Sequence, residues 1–92
     1  MSLTAEEKEK IISDFKVHKN DTGSAPVQIA VLSEEIKRVL DHLKSNHKDN
    51  HSKRGLLKMV IKRKKLLKYL EKESTKQHSQ VIKKLGLKEK SQ

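Results

Sequence analysis

Cysteine does not occur in this chain. Its absence excludes disulfides and zinc–thiolate sites, and it fits a reducing compartment. One proline, three glycines and two aromatics, Phe15 and Tyr69, give too little turn punctuation and too few strand formers for a sheet protein. No run of about 18 apolar residues is present, so nothing reads as a membrane span. The opening Met1-Ser2-Leu3-Thr4-Ala5-Glu6-Glu7 is acidic and lacks the basic start and apolar centre of a signal peptide. The expectation is an all-α protein of the cytoplasm.

At 92 residues the chain reads as a single domain, 1–92. Hydrophobic residues make up 33% and charged residues 37%, so the core should be a thin seam between helices. The net charge of +10 is unevenly placed: residues 1–43 balance at −2, residues 44–72 at +9 and residues 73–92 at +3. So dense an excess repels itself unless something neutralises it, which points to a polyanionic partner facing the third helix.

The polar stretch His47-Lys48-Asp49-Asn50-His51-Ser52-Lys53-Arg54-Gly55 separates two long periodic segments. Asp49 and Ser52 are helix-capping residue types, so the stretch reads as the elbow of an antiparallel helical hairpin. That arrangement gathers His42, Asp49, His51 and Ser52 at one tip. The architecture expected is four helices: two long antiparallel ones forming the hairpin, with short helices at the N- and C-terminal sides.

In chain order, Thr4-Ala5-Glu6-Glu7 matches a capping box, and Ile11, Ile12 and Phe15 give the first helix a short apolar stripe. The loop Lys19-Asn20-Asp21-Thr22-Gly23-Ser24-Ala25-Pro26 is either an ordinary connection or a place where the backbone of Thr22, Gly23 and Ser24 meets a phosphate at a helix N-terminus. Ile29, Leu32, Ile36, Val39 and Leu43 form a coiled-coil-like seam in the second helix. Gln28, Glu35 and His42 share a neighbouring polar stripe, either a solvated flank or a contact surface.

The third helix should run from about Asp49 or Ser52 to about Glu73, with Leu56, Val60, Leu67 and Leu70 inward. Lys58, Lys62, Lys65 and Lys72 lie broadly opposite, and Tyr69 stands among them. A lone tyrosine is commonly a core residue with a wet hydroxyl, but this position favours stacking on a base or ribose. Arg63 falls within the apolar face and must either reach outward or find an acid. Ser74-Thr75-Lys76-Gln77 opens a fourth helix with stripe Val81, Ile82 and Leu85, and Gly86-Leu87 reads as its Schellman ending.

Enzymatic and metal chemistry fit poorly. His47 and His51 have a zinc-like spacing, but no cysteine accompanies them and structural zinc takes four protein ligands. Asp49, His51 and Ser52 contain the letters of a triad, yet triads draw their members from separate elements. No glycine-rich phosphate loop occurs. No cofactor, no metal and no membrane partner is expected. A nucleoid-type DNA-binding protein and a basic amphipathic membrane-surface protein are the competing binding classes, the latter opposed by the lack of Trp or Phe anchors.

The segments Asp21-Thr22-Gly23-Ser24, Val27-Gln28, His42-Leu43, His51-Ser52-Lys53-Arg54-Gly55-Leu56-Leu57, Leu66-Leu67-Lys68-Tyr69-Leu70 and Leu85-Gly86-Leu87 resemble the family of the fifteenth protein of the bacterial-type small ribosomal subunit. The likeness runs in register along nearly the whole chain. It implies a four-helix fold that binds the central domain of small-subunit rRNA at two places. A three-way junction would meet Thr22, Gly23, Gln28 and Tyr69, and a minor groove at a G·U/G·C element would meet His42, Asp49 and Ser52. Lys53, Arg54, Lys58, Lys62 and Lys65 would hold phosphates whatever the sequence. The resemblance also implies a role in early subunit assembly, with neighbouring small-subunit proteins as partners and large-subunit rRNA across an intersubunit bridge as a further candidate. Glu35, Asn50, Pro26 and His78 depart from the expected pattern, so no phosphate contact is carried over to Glu35.

Overall fold

The computed structural model describes residues 3–16 and 23–86. Its elements are α1 (Ala5–Phe15), α2 (Ala25–Ser45), α3 (Asn50–Glu73) and α4 (Thr75–Leu85), with no strand among the described residues. Thr22, Asp21 and Leu87 lie outside those residues.

Short-range chemistry places every helix start. Thr4 opens α1 with the full capping box: the Glu7 amide donates to Thr4 Oγ1 at 3.1 Å and the Thr4 amide to Glu7 Oε1 at 2.9 Å. Ser24 caps α2, whose first turn accommodates Pro26 because that turn's amides lack helical acceptors anyway. Asp49 caps α3. Ser74 both ends α3, donating its amide to Leu70 O at 2.8 Å, and opens α4, accepting from the Gln77 amide at 3.2 Å. Its amide is thereby spent on α3, so only the serine half of the expected second capping box forms. Gly86 closes α4 at φ 66°, the left-handed conformation that glycine takes without a Cβ penalty.

The hairpin of α2 and α3 is antiparallel. His42 meets Asp49 beside the elbow, and Ser33 meets Arg63 well away from it, so contacts along the two rods run in opposite chain directions. Ile29, Leu32, Ile36 and Val39 are buried as the seam requires, and Leu43 is half-buried near the tip. On α3 only Leu70 and Ser52 are buried, while Leu56, Val60 and Leu67 are half-buried. The seam is thin, as the composition implies.

Ile29, Leu70 and Val81 form the centre where α2, α3 and α4 meet, with Ala25, Leu66, Leu67 and Leu85 packed around it. Val27 and Ala30 are buried as well, off the α2 seam, because α1 and α4 both pack on α2. Helix α1 buries none of its own residues. Polar contacts add to its packing on α2: Arg38 pairs with Glu7, and Lys84 donates from Nζ to Asp14 O at 2.6 Å while lying 5.1 Å from the Phe15 ring centroid.

Candidate nucleic-acid interface

The elbow is built from short polar side chains bonded to one another. Asn46 ends α2, its amide donating to His42 O at 3.0 Å and its side-chain Nδ2 to the same carbonyl at 2.9 Å. The Asp49 amide then donates to Asn46 O at 3.0 Å, which turns the chain. Asp49 Oδ1 accepts from the Ser52 amide at 3.1 Å, and Oδ2 accepts from Ser52 Oγ at 2.7 Å. His42 Nε2 lies 2.8 Å from the same Oδ2. An ionised carboxylate can only accept, so this bond requires the imidazole proton on Nε2. That leaves Nδ1 as the acceptor facing Asn46 Nδ2 at 3.4 Å.

The Ser52 hydroxyl and amide, followed by the His42 imidazole, hold the Asp49 carboxyl well below the usual carboxylate range. Asp49 is therefore a fixed anion in the middle of a cationic surface. It can accept from an amino or hydroxyl donor and repels phosphate, so it orients whatever approaches. Ser52 is only 7% exposed and its hydroxyl is committed to Asp49, which makes it the brace behind the carboxylate. His42 and Asp49 are half-buried, with an edge of each open to solvent.

This cluster also bears on catalysis. Its histidine is His42 from α2, whereas His51 is exposed. The carboxylate sits between hydroxyl and imidazole, so the imidazole does not reach the hydroxyl, and a carboxylate held this acidic is too weak a base to activate it. Among the described residues no group of three or more His, Cys, Asp or Glu could hold a metal ion, and no helix is long and apolar enough to cross a membrane.

Along α3 every cation except Arg63 is exposed. At about 100° per residue, Lys58, Lys62, Lys65 and Tyr69 occupy a sector of about 60°, with Arg54 and Lys72 at its edge. Tyr69 is 56% exposed, so its ring stands in solvent within that cationic sector. Lys53 does not join them: five residues from Lys58, it projects about 140° away around the helix. Arg63 points to the seam, where it is half-buried and donates from Nη1 to Ser33 Oγ at 3.2 Å. The sequence left a choice between solvent and an acid. The structure supplies a hydroxyl, which no spacing within α3 could have revealed.

At the far end of α2, Gln28 Nε2 donates to Gly23 O at 2.7 Å, tying two of the predicted site residues together. Gln28 also shares a groove of about 280 Å3 with Lys62 of α3, Lys8 and Ile12 of α1, and Glu35. Glu35 thus places a carboxylate in the same groove as Gln28. Fourteen residues of α2 separate Gln28 from His42, about 21 Å at the helical rise.

Sequence comparisons with known proteins point to one family. The family described as Ribosomal protein S15 matches residues 8–88. The small ribosomal subunit protein uS15 of Oceanobacillus iheyensis is 55% identical over 87 residues, covering 95% of this chain and 98% of that protein. The proteins of the same name from Crocosphaera subtropica and Dictyoglomus thermophilum are 48% and 52% identical, each with the same coverage. A match across the elbow, both long helices and α4 leaves no competing assignment: the chain belongs to the ribosomal protein S15 family, a family of structural, non-enzymatic proteins.

Proposed function

We propose that this protein, a structural constituent of the small ribosomal subunit in the cytoplasm, binds the central domain of small-subunit rRNA at two places and nucleates assembly there. Membership of the family supports the coarse role. The observation that carries the finer reading is the spacing of two unlike polar sites along one rod. The His42–Asp49–Ser52 cluster sits at the elbow, and Gln28 with Gly23 sits about 21 Å away at the other end of α2.

Each site suits a different RNA feature. A-form RNA has a wide, shallow minor groove lined with 2′-hydroxyls and base edges, which short side chains on a protruding elbow can reach. The exposed ring of Tyr69 suits an unpaired base or a ribose, as found at helical junctions. The lysines and Arg54 of the α3 sector contribute affinity without regard to sequence. Thr22 belongs to the junction site by family resemblance. Holding two RNA elements at a fixed separation sets the angle between helical arms, and neighbouring small-subunit proteins then meet a preformed surface. Large-subunit rRNA facing this platform is a further partner in the same reading.

The test is a binding comparison at matched salt between an rRNA fragment carrying the three-way junction with its G·U/G·C arm and a duplex DNA of equal length. Preference for the RNA is expected. Comparable affinity for both would favour a general nucleic-acid binder and end the two-site reading.

A further inference from the structure

At the end of the bundle away from the elbow lies a second basic recess, distinct from the α3 sector. A cavity of about 400 Å3 opens where the end of α1, the first turn of α2 and α4 converge. Lys16, Lys76 and Lys84 line it together with Gln77 and Gln80, and no Asp or Glu is among the described residues of its lining. Its volume falls within the about 300–1,000 Å3 usual for ligand sites.

The ammonium of Lys84 makes two contacts with the end of α1. It donates to Asp14 O at 2.6 Å and lies 5.1 Å from the Phe15 ring centroid. A carbonyl and a π face orient a cation without neutralising it, so the full charge remains available to an incoming anion. Lys16 and Lys76 are exposed, and no ion pair among the described residues involves any of the three lysines. Gln77 and Gln80 add carboxamide donors. The positive end of α4, with no acid in its first turn, faces the same way.

We propose that this cavity receives a backbone phosphate of the bound RNA, with its sugar, as a third anchoring point beyond the two recognition sites. The choice of occupant rests on the RNA-binding reading above. Tyr69 stands five residues before Ser74, which lines the cavity, so the recess lies at the Tyr69 end of α3. A strand that continues from Tyr69 toward the α3–α4 joint reaches the recess, whose three lysines suit a phosphate. The site reads charge and size only, and so it is indifferent to sequence.

The experiment measures the slope of log affinity against log salt for the full chain and for the double variant Lys16→Gln/Lys76→Gln. Two RNAs are used, the junction fragment and an unrelated RNA duplex of equal length. Loss of one phosphate contact should reduce the slope by about one unit on the junction fragment, and Lys16→Arg/Lys76→Arg should restore it. In the parent, the backbone amide resonances of Lys76 and Gln80 should shift on adding that RNA. If the junction fragment and the duplex bind the parent alike, the two-site reading fails while the recess is still judged by the slopes. Identical slopes for parent and glutamine variant on both RNAs overturn the recess, as do silent amides. A shift produced by inorganic phosphate with unchanged RNA slopes also overturns it, since the cavity would then serve a small free anion.

Discussion

Arg63 of α3 donates from Nη1 to Ser33 Oγ of α2 at 3.2 Å, inside a seam otherwise made of aliphatic side chains. Burial disfavours the charged guanidinium and pulls its pKa below the usual arginine value, with no carboxylate nearby to offset the loss of water. The pairing is a compromise, and substitution on its two sides should differ. Ser33→Ala removes the acceptor and leaves the cation unsatisfied, at a cost of about 1–3 kcal/mol. Arg63→Met keeps the aliphatic volume and removes the charge, so it should be neutral or stabilising. Urea denaturation of both variants checks this, and greater damage from Arg63→Met than from Ser33→Ala would contradict it.

The two α3 cations flanking the elbow side of the helix are not equivalent. Lys58→Ala should weaken binding to every RNA and reduce the salt slope by about one unit. Lys53→Ala, about 140° away around the helix, should leave the slope nearly unchanged. Asp49→Ala should act differently again, reducing discrimination between the G·U/G·C arm and a scrambled arm. Filter-binding titrations at several salt concentrations separate these effects. Equal slopes for the Lys53 and Lys58 variants would remove the case for a single phosphate-facing sector.

The Asp49 carboxyl carries a pH signature. Its folded pKa is depressed by Ser52 and then by His42, so the native state favours the ionised form more than the unfolded chain does. The resulting stabilisation is complete above the unfolded carboxylate value of about 3.9 and shrinks as pH falls below it toward the folded pKa. The stability difference between the parent and Asp49→Asn should therefore narrow as pH falls from about 5 to about 2. Thermal melts across that range provide the measurement, and a gap that widens on acidification would reverse the assigned sign.

Two glycines should respond oppositely to alanine. Gly55 lies within α3 at negative φ, and a Cβ there would meet nothing within 4 Å. Gly55→Ala should stabilise the free protein by about 0.5–1 kcal/mol through helix propensity and a less flexible unfolded chain. Gly86 has φ 66°, so Gly86→Ala should destabilise by about 1–2 kcal/mol despite equally open space. Paired denaturation curves test the contrast. Nothing inside the protein requires a glycine at position 55, so any loss of RNA affinity in the stabilised Gly55→Ala variant would locate a close approach by the RNA.

What the sequence disclosed was mostly local. Thr4, Ser24, Asp49 and Ser74 all cap helices as their types and positions imply, because a cap depends on three or four consecutive residues. The α2 seam and the outward Tyr69 followed from helical period. Features decided between helices were not legible in the same way. Burial of Val27 and Ala30 depends on α1 and α4 covering a second side of α2. The partner of Arg63 lies thirty residues away in α2. Capping and RNA contact drew on the same atoms of Ser52, and only its burial shows how fully the cap occupies them. The recess beneath α1 left no sequence signal, since its three lysines belong to no common period.

Ser74 leaves no slack between α3 and α4. One amide grips the helix behind it and one hydroxyl the helix ahead, so the joint transmits torque as a crank does. Tyr69 and the Lys76–Gln80 turn should consequently respond together to a bound strand. A pull on either is felt at the other, and a single extra residue spliced in after Ser74 would disengage them while leaving both helices whole.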